Sequence, residues 1–216
     1  MNPNRSITPF LVWICLLAAG LVALAAYASR PGEAATPAGR LPSKVIEAID
    51  AVEPSTHEAT WTLVLAVHPK CPCTPATLDE LEHLLPKLAE PIRLVALVRT
   101  PADDPSAWLD TPLVAKLERL NAVIVTDPNA ELAAMIGATT SGHAALFDAK
   151  AESRFNGGLT PTRGHTGPNT GVASIQSIVN RTALVATESV VYGCPLGGAC
   201  AAMSESRTTA PNGETK

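Results

Sequence analysis

Three apolar segments of strand length, separated by helical patterns, most strongly limit what this chain can fold into. TWTLVLAV (60–67) is almost continuously apolar, and IRLVALVR (92–99) and AVIVTD (122–127) have the same character. Such runs are typical of strands buried on both faces, as in parallel sheets covered by helices. Leucines at helical spacing from Leu78 to Leu88 predict a helix after the first strand. The sequence therefore predicts an α/β fold.

The remaining segments extend this layered pattern. Helical patterns cover 112–120, the stretch from Asp127 or Asn129 to Gly137, and 172–185, while 143–158 alternates as two strands around a tight turn. Segment 101–111 is expected to be a surface loop. We expect parallel strands with one antiparallel pair at an end of the sheet, in a single folded domain spanning 58–187.

The N-terminal run from Thr8 to Ala28 contains no charged residue, and about 20 apolar residues suffice to cross the hydrocarbon core as a helix. Residues 26–28 resemble a signal-peptidase site, but the run exceeds the usual signal-peptide core, which favours a retained anchor. We expect an anchor or signal at 1–30 and a linker at 31–57. A single pass through the cytoplasmic membrane would place the soluble domain outside the cytoplasm, in the periplasm.

Charge and motifs exclude several classes of function. The formal net charge is −4 and no cluster of Lys and Arg occurs, so a nucleic-acid partner is not expected. The chain contains neither G-x-x-x-x-G-K-[ST] nor a strand-borne G-x-G-x-x-G, so the glycines of 155–171 do not indicate a phosphate loop.

Cys71 and Cys73, in HPKCPCT (68–74), carry the main functional signal. Cys71 closely follows the first strand, where reactive groups of open α/β sheets collect. A thiol at a helix N-terminus is favoured as the nucleophilic thiolate. The helix begins either near Cys71 or at Thr74, which with Pro75 makes a good start. His68 is a candidate supporting residue, either as a cation or as a proton shuttle.

The buried strand, the cysteine pair, DPNAELAAMIGA, HAALFD and a final helix together resemble the thioredoxin-like superfamily, most closely membrane-anchored TlpA-like and RedB-like proteins. The resemblance covers about residues 58–187. It implies a three-layer sandwich around a mixed sheet and thiol-disulfide exchange with protein thiols or disulfides, with Cys71 as nucleophile and Cys73 as resolving thiol.

Two features depart from thioredoxins. The motif is C-x-C rather than C-x-x-C, and Thr140-Ser141-Gly142-His143 stands where thioredoxins have a cis-proline, so that Gly142 and His143 are candidate supporting residues. A bridge across C-x-C would be strained and easily reduced.

Two further cysteines lie in the C-terminal segment 188–216, which is expected to be mostly disordered. Exported cysteines usually pair. Cys194 and Cys200 are therefore expected either to form a structural disulfide with each other or to pair with Cys71 or Cys73 as resolving thiols. Four cysteines allow three pairings, and the sequence does not choose among them.

Two other functions remain open. Cys71, Cys73 and His143, with His68 nearby, would make a soft site for copper or zinc, and a redox-silent binding scaffold would need no reactive thiol. The loop 155–171 carries Arg163 and His165, which we expect to border the cysteines and to hold a thiolate or a partner carboxylate, unless the loop is simply a solvated turn cluster.

Overall fold

The computed structural model describes residues 7–33, 36–54, 60–183 and 185–197. The chain divides into two compact units, Met1–Arg30 and Pro31–Lys216. In the first unit, helix α1 spans Ile7–Ala28. Its stretch Thr8–Ala28 is long and apolar enough to cross a membrane, in agreement with the sequence prediction.

The second unit is built on a five-stranded mixed sheet. Its strands are β1 (Trp61–Val67), β2 (Ile92–Thr100), β3 (Val123–Pro128), β4 (His143–Asp148) and β5 (Ser153–Gly158). Their order across the sheet is β3-β2-β1-β4-β5. The first three strands are parallel, and β4 and β5 are antiparallel to their neighbours. β1 lies at the centre of the sheet, as its continuous apolar run predicts.

Helices cover both faces, giving three layers. They are α2 (Ser43–Val52), α3 (Thr74–Leu84), α4 (Ser106–Leu109), α5 (Pro112–Arg119), α6 (Glu131–Met135) and α7 (Thr170–Val179). α3, α5 and α7 pack their apolar residues on one face of the sheet, and α2 and α6 pack on the other. The fold is therefore thioredoxin-like: a parallel β-α-β unit, then an antiparallel hairpin and a final helix.

The segment 31–57, which the sequence indicated as a linker, contains a helix that belongs to the core. Val45 and Ile49 of α2 are fully buried against the second face of the sheet. Likewise, Thr187 and Ser189 exchange backbone hydrogen bonds with Asn156 on the outer edge of β5. Both segments therefore extend the folded unit beyond 58–187.

Local features explain where several helices begin and end. Pro86 lies in a single 3-10 turn that follows α3, so α3 is shortened as predicted. The Asp127 carboxylate accepts from the N–H groups of Leu132 and Ala133 at 2.8 and 2.9 Å and so fixes the start of α6. Two expectations were wrong: 101–111 contains the short helix α4, and the last helix ends at Val179, not residue 185.

A three-cysteine candidate active site

The Cys-Pro-Cys pair lies between the end of β1 and the start of α3. The backbone N–H of Cys71 donates to the carbonyl oxygen of His68 at 2.9 Å and closes a turn. Cys73 is the N-cap of α3, Thr74 is its first residue, and Pro75 lies in the first turn, where no N–H is required. Of the two cysteines, Cys73 is thus the one at the positive end of the helix dipole.

The C-terminal segment brings a third cysteine to the pair. Thr140 and Pro195 form an antiparallel bridge, and the backbone N–H of Ser141 donates to the carbonyl oxygen of Cys194 at 2.8 Å. The sulfur atoms of Cys71, Cys73 and Cys194 all lie within 4.8 Å of one another, and all three are free thiols. We call this group the three-cysteine cluster.

Glycine makes this approach of the two backbones feasible. A Cβ added at Gly193 would overlap the carbonyl oxygen of Ser141, and one added at Gly158 would overlap the carbonyl oxygen of Val190. Any larger residue at either position would push the C-terminal segment away from the sheet. The glycines at the end of β5 and before Cys194 therefore position the third thiol.

The three thiols differ in exposure and in proton affinity. Cys71 is 3% exposed, whereas Cys73 and Cys194 are half-buried. Hydrogen bonds from Cys194 and then Cys73 hold the pKa of Cys71 far below its ordinary value. Donating to Cys71, and then to Cys73, raises the pKa of Cys194. The cluster therefore favours one thiolate, on Cys71, stabilised by neighbouring S–H groups.

The pKa of Cys73 is raised. Its hydrogen bond with Cys194 favours the thiolate, but its hydrogen bond to Cys71, its burial and the charge on Cys71 outweigh that contribution. The positive charge of the Arg163 guanidinium lowers the pKa of Cys73, but its effect is smaller than the others. Cys73 is thus the more exposed but the more weakly acidic sulfur of the Cys-Pro-Cys pair.

A buried pair of hydroxyl groups braces the cysteine turn. The Ser141 hydroxyl oxygen accepts from the backbone N–H of His68 at 2.8 Å and lies 2.7 Å from the hydroxyl of Thr74. Both hydroxyl-bearing residues are almost fully buried. These hydrogen bonds connect both ends of the cysteine turn to Ser141, which lies just before β4. They therefore fix Cys71 and Cys73 relative to the sheet.

His68 is buried and faces Trp108 of α4, with ring centroids 5.1 Å apart. Burial, followed by the positive charge of Arg99, lowers its pKa, and its Nδ1 accepts from the backbone N–H of Lys70 at 3.2 Å. Lys70 places its ammonium group 4.4 Å from the centre of the Trp108 ring. His68 is therefore a neutral turn residue, not a cation that stabilises a thiolate.

The glycine-rich loop lies beside the cluster. A Cβ added at Gly164 would be 3.8 Å from the Cα of Cys73. Arg163 donates from its guanidinium to the carbonyl oxygen of Gly193, immediately before Cys194. His165 hydrogen-bonds only within its own loop, through Nδ1 to the Arg163 carbonyl oxygen at 2.7 Å. Arg163 thus holds the C-terminal segment, while His165 is exposed.

His143 does not join the cysteines. It is 5% exposed and lines a cavity of about 460 Å³ with Asn156, Gly157, Pro37 and residues of 31–33 and 188–191. Burial lowers its pKa to about 4, partly offset by a hydrogen bond with Asn156. The soft site expected from Cys71, Cys73 and His143 is therefore corrected: Cys194 is the third potential ligand.

The other sequence candidates have definite places. Gly142 has a positive φ of 90°, and its N–H donates to the Ala66 carbonyl oxygen at 2.9 Å, so it forms the turn into β4. Cys200, and with it the proposed Cys194–Cys200 bridge, lies outside the described residues. Sequence reasoning missed Trp108, which lies in a segment expected to be a surface loop, and the bracing roles of the Thr74 and Ser141 hydroxyl groups. The signal for the two hydroxyl groups was their position, in the cysteine motif and in the segment expected to face it.

Comparisons with known proteins concern the fold. No protein-family model and no curated protein matches the chain. An uncharacterized conserved protein from Geobacillus kaustophilus has a TM-score of 0.50 and 19% identity, covering 79% of this chain and 93% of its own. A hypothetical protein from Sinorhizobium meliloti has a TM-score of 0.49 and 15% sequence identity, and the match covers 79% of this chain and 95% of that protein. A secreted Mycobacterium tuberculosis disulfide oxidoreductase homologous to E. coli DsbE has a TM-score of 0.38 and 12% sequence identity, and the match covers 56% of this chain and 81% of that protein.

Proposed function

We propose that this protein is a membrane-anchored thiol-disulfide oxidoreductase that exchanges disulfides with partner proteins, and that it is a TlpA-like or RedB-like member of the thioredoxin-like superfamily. The observation that carries the proposal is the three-cysteine cluster, whose sulfur atoms lie within 4.8 Å of one another at the end of a central strand. Sulfur atoms this close can form a disulfide with small side-chain movements. Among the described residues, no contact of comparable strength supports a purely structural role for three free thiols at the carboxyl end of the central strand.

Exchange at the cluster proceeds by ordinary thiol-disulfide chemistry. In the oxidised protein a disulfide joins Cys71 and Cys73. A partner thiolate attacks the Cys73 sulfur, the Cys71–Cys73 bond breaks, and Cys71 leaves as a thiolate. A second partner thiolate attacks the partner sulfur of the mixed disulfide, and Cys73 leaves and takes up a proton. Two electrons pass to the protein, and the reverse sequence reduces a partner disulfide.

Burial determines which sulfur meets the partner. Cys71 is 3% exposed and Cys73 is half-buried, so another protein reaches Cys73 more readily. We therefore assign the mixed disulfide to Cys73 and the buried, stabilised thiolate to Cys71, which reverses the roles that the resemblance implied. A thiolate favoured by hydrogen bonds from Cys194 and Cys73 is also a good leaving group.

The membrane-anchored, extracytoplasmic location is supported by two features. The segment Thr8–Ala28 is long and apolar enough to span a bilayer, and disulfide chemistry is sustained in oxidising compartments rather than in the cytosol. A retained anchor would keep the exchange reaction at the outer surface of the cytoplasmic membrane.

Exchange of the full chain with a synthetic peptide that carries one disulfide tests the proposal. All variants contain Cys15→Ser and Cys200→Ser, so that only the cluster can react. We expect the three-cysteine chain to reduce the peptide and to lose the mass of two hydrogens. The chain that retains only Cys73 should hold a peptide adduct that reductant releases, and the chain that retains only Cys71 should hold much less.

A chain with all five cysteines changed to serine is the matched control. If the three-cysteine chain exchanges no faster than this control, the cluster does not carry out exchange and the proposal is wrong. If the adduct forms mainly on Cys71, exchange stands but the assignment of Cys73 to the partner fails.

A further inference from the structure

We propose that the reduced thiols of Cys71, Cys73 and Cys194 bind one Cu(I) ion as a three-sulfur site. The site goes beyond disulfide exchange, because it needs no partner sulfur and no redox change. It rests on the arrangement of the three sulfur atoms in the described part of the chain.

The spacing of the sulfurs fits a metal. Sulfur atoms bound at about 2.3 Å in a plane around one ion are about 4.0 Å apart. The three sulfurs here lie within 4.8 Å of one another, so each needs to move only a fraction of an ångström. Backbone hydrogen bonds hold two of them in place, from Cys71 N–H to His68 and from Ser141 N–H to Cys194.

The donor set favours Cu(I) over harder or four-coordinate ions. All three donors are soft sulfurs, which select Cu(I) among biological metals. Within the described residues, no His, Asp or Glu joins the three cysteines in a group that could hold an ion. The neighbouring hydroxyl groups of Thr74 and Ser141 are hydrogen-bonded to each other. Structural zinc sites use four protein ligands, so a three-sulfur site suits zinc less well.

An ion has a route to the site and a way to be released. Cys73 and Cys194 are half-buried, so an ion can bind these sulfurs first and then Cys71 behind them. Binding replaces S–H protons by metal–sulfur bonds and releases the protons to solvent. Exchange with a partner disulfide, which takes up two electrons and leaves as two thiols, would join two of the cysteines in a disulfide. That removes two ligands, so the ion would be released.

The test is an anaerobic titration of the reduced full chain, in detergent, with Cu(I) in competition with a coloured Cu(I) chelator. We expect one Cu(I) per chain, and X-ray absorption should show three sulfurs and no nitrogen around copper. Cys194→Ser should weaken binding by at least about tenfold, the lower end of what loss of an outer-shell partner alone produces. Cys15→Ser is the matched control and should leave binding unchanged.

Several results would overturn the site. They are the absence of Cu(I) retention against the chelator, a nitrogen in the copper shell, equal binding by the Cys194→Ser chain, loss of binding in Cys200→Ser, or displacement of Cu(I) by an equal concentration of Zn(II). The X-ray absorption spectrum of the copper-loaded wild type identifies the ligands of copper even if a variant misfolds. Peptide exchange is measured without metal, so either proposal can fail while the other stands.

Discussion

The backbone N–H of Ser141 donates to the carbonyl oxygen of Cys194 at 2.8 Å. With the bond from the N–H of Leu196 to the carbonyl oxygen of Thr139, it pairs the C-terminal segment with the residues that precede β4. Through this pairing, a cysteine more than a hundred residues along the chain becomes part of the same site. Ser141 also braces the cysteine turn through its hydroxyl. Ser141 therefore contacts the cysteine turn and the segment that carries Cys194.

Cys194→Ser should raise the pKa of Cys71 in the metal-free protein, because the hydrogen bond with Cys194 is the largest cause of its lowering. Alkylation of Cys71 by iodoacetamide is then expected to slow at pH values below the pKa of the variant, where a smaller fraction of Cys71 is thiolate than in the wild type. Rates read by mass spectrometry between pH 4 and 9 check this. Cys15→Ser supplies the comparison, and an unchanged profile in Cys194→Ser contradicts the cluster.

Arg163→Ala should loosen the C-terminal segment, because the guanidinium holds the Gly193 carbonyl oxygen. Formation of a Cys73–Cys194 disulfide with a mild oxidant is expected to slow several-fold, since the two sulfurs meet less often. Arg154→Ala, which removes an exposed ion pair with Asp148, is the control. Equal rates in the two variants would show that Arg163 does not position the segment.

Gly193→Ala should destabilise the protein by about 1–3 kcal/mol, the usual cost of forcing atoms into a packed space. Its new Cβ would overlap the Ser141 carbonyl oxygen, whereas nothing lies within 4 Å of a Cβ at Gly197. Chemical unfolding of the two alanine variants should therefore separate them clearly. A Gly193→Ala chain as stable as Gly197→Ala speaks against close contact of the two backbones.

Ile49→Ala should cost about 2–5 kcal/mol of unfolding free energy, as for a buried isoleucine, because Ile49 is 2% exposed under the second face of the sheet. Val52→Ala on the same helix, with Val52 55% exposed, should cost little. Comparable small losses in both variants would mean that α2 is a linker after all.

Acidification should destabilise the folded chain through His143. Its folded pKa is lowered to about 4 from the ordinary 6.5 by burial, so the unfolded state binds the proton first. The stabilisation is present above pH 6.5 and is lost as pH falls towards 4, by up to about 1.4 kcal/mol per unit. Denaturant unfolding of His143→Gln should show a shallower pH dependence than that of His83→Gln, since His83 is exposed.

The strands and their layers could be predicted because continuous apolar runs have one physical explanation, burial on both faces. The long apolar helix α1 followed from length and charge alone. By contrast, α4 has only four residues, too few for a periodic pattern. The helix α2 was read as linker because its short apolar stripe, Val45 and Ile49, follows a segment rich in Pro and Gly.

The sequence indicated Cys71 and Cys73 directly, and it offered Cys194 either as a partner of this pair or as a partner of Cys200 without choosing between them. The approach of Cys194 depends on backbone hydrogen bonds to 139–141, which no side-chain pattern reveals. The expectation for His143 failed because successive strand residues point to opposite faces. His143 shares a face with Ala145 and Phe147, in the cluster under α2 and α6, so its imidazole lies away from the sulfurs.

The glycine contacts that hold Cys194 against the sheet have a consequence for competition with small molecules. A thiol fixed next to its target reacts as though it were present at a concentration far above that of any dissolved thiol, and such effective molarities reach about 10⁵–10⁸ M in well-oriented systems. Glutathione or a similar reductant at millimolar levels would then seldom intercept a mixed disulfide at this site. The neighbouring thiols of the same chain, rather than small dissolved thiols, would then resolve a mixed disulfide that a partner forms on Cys73.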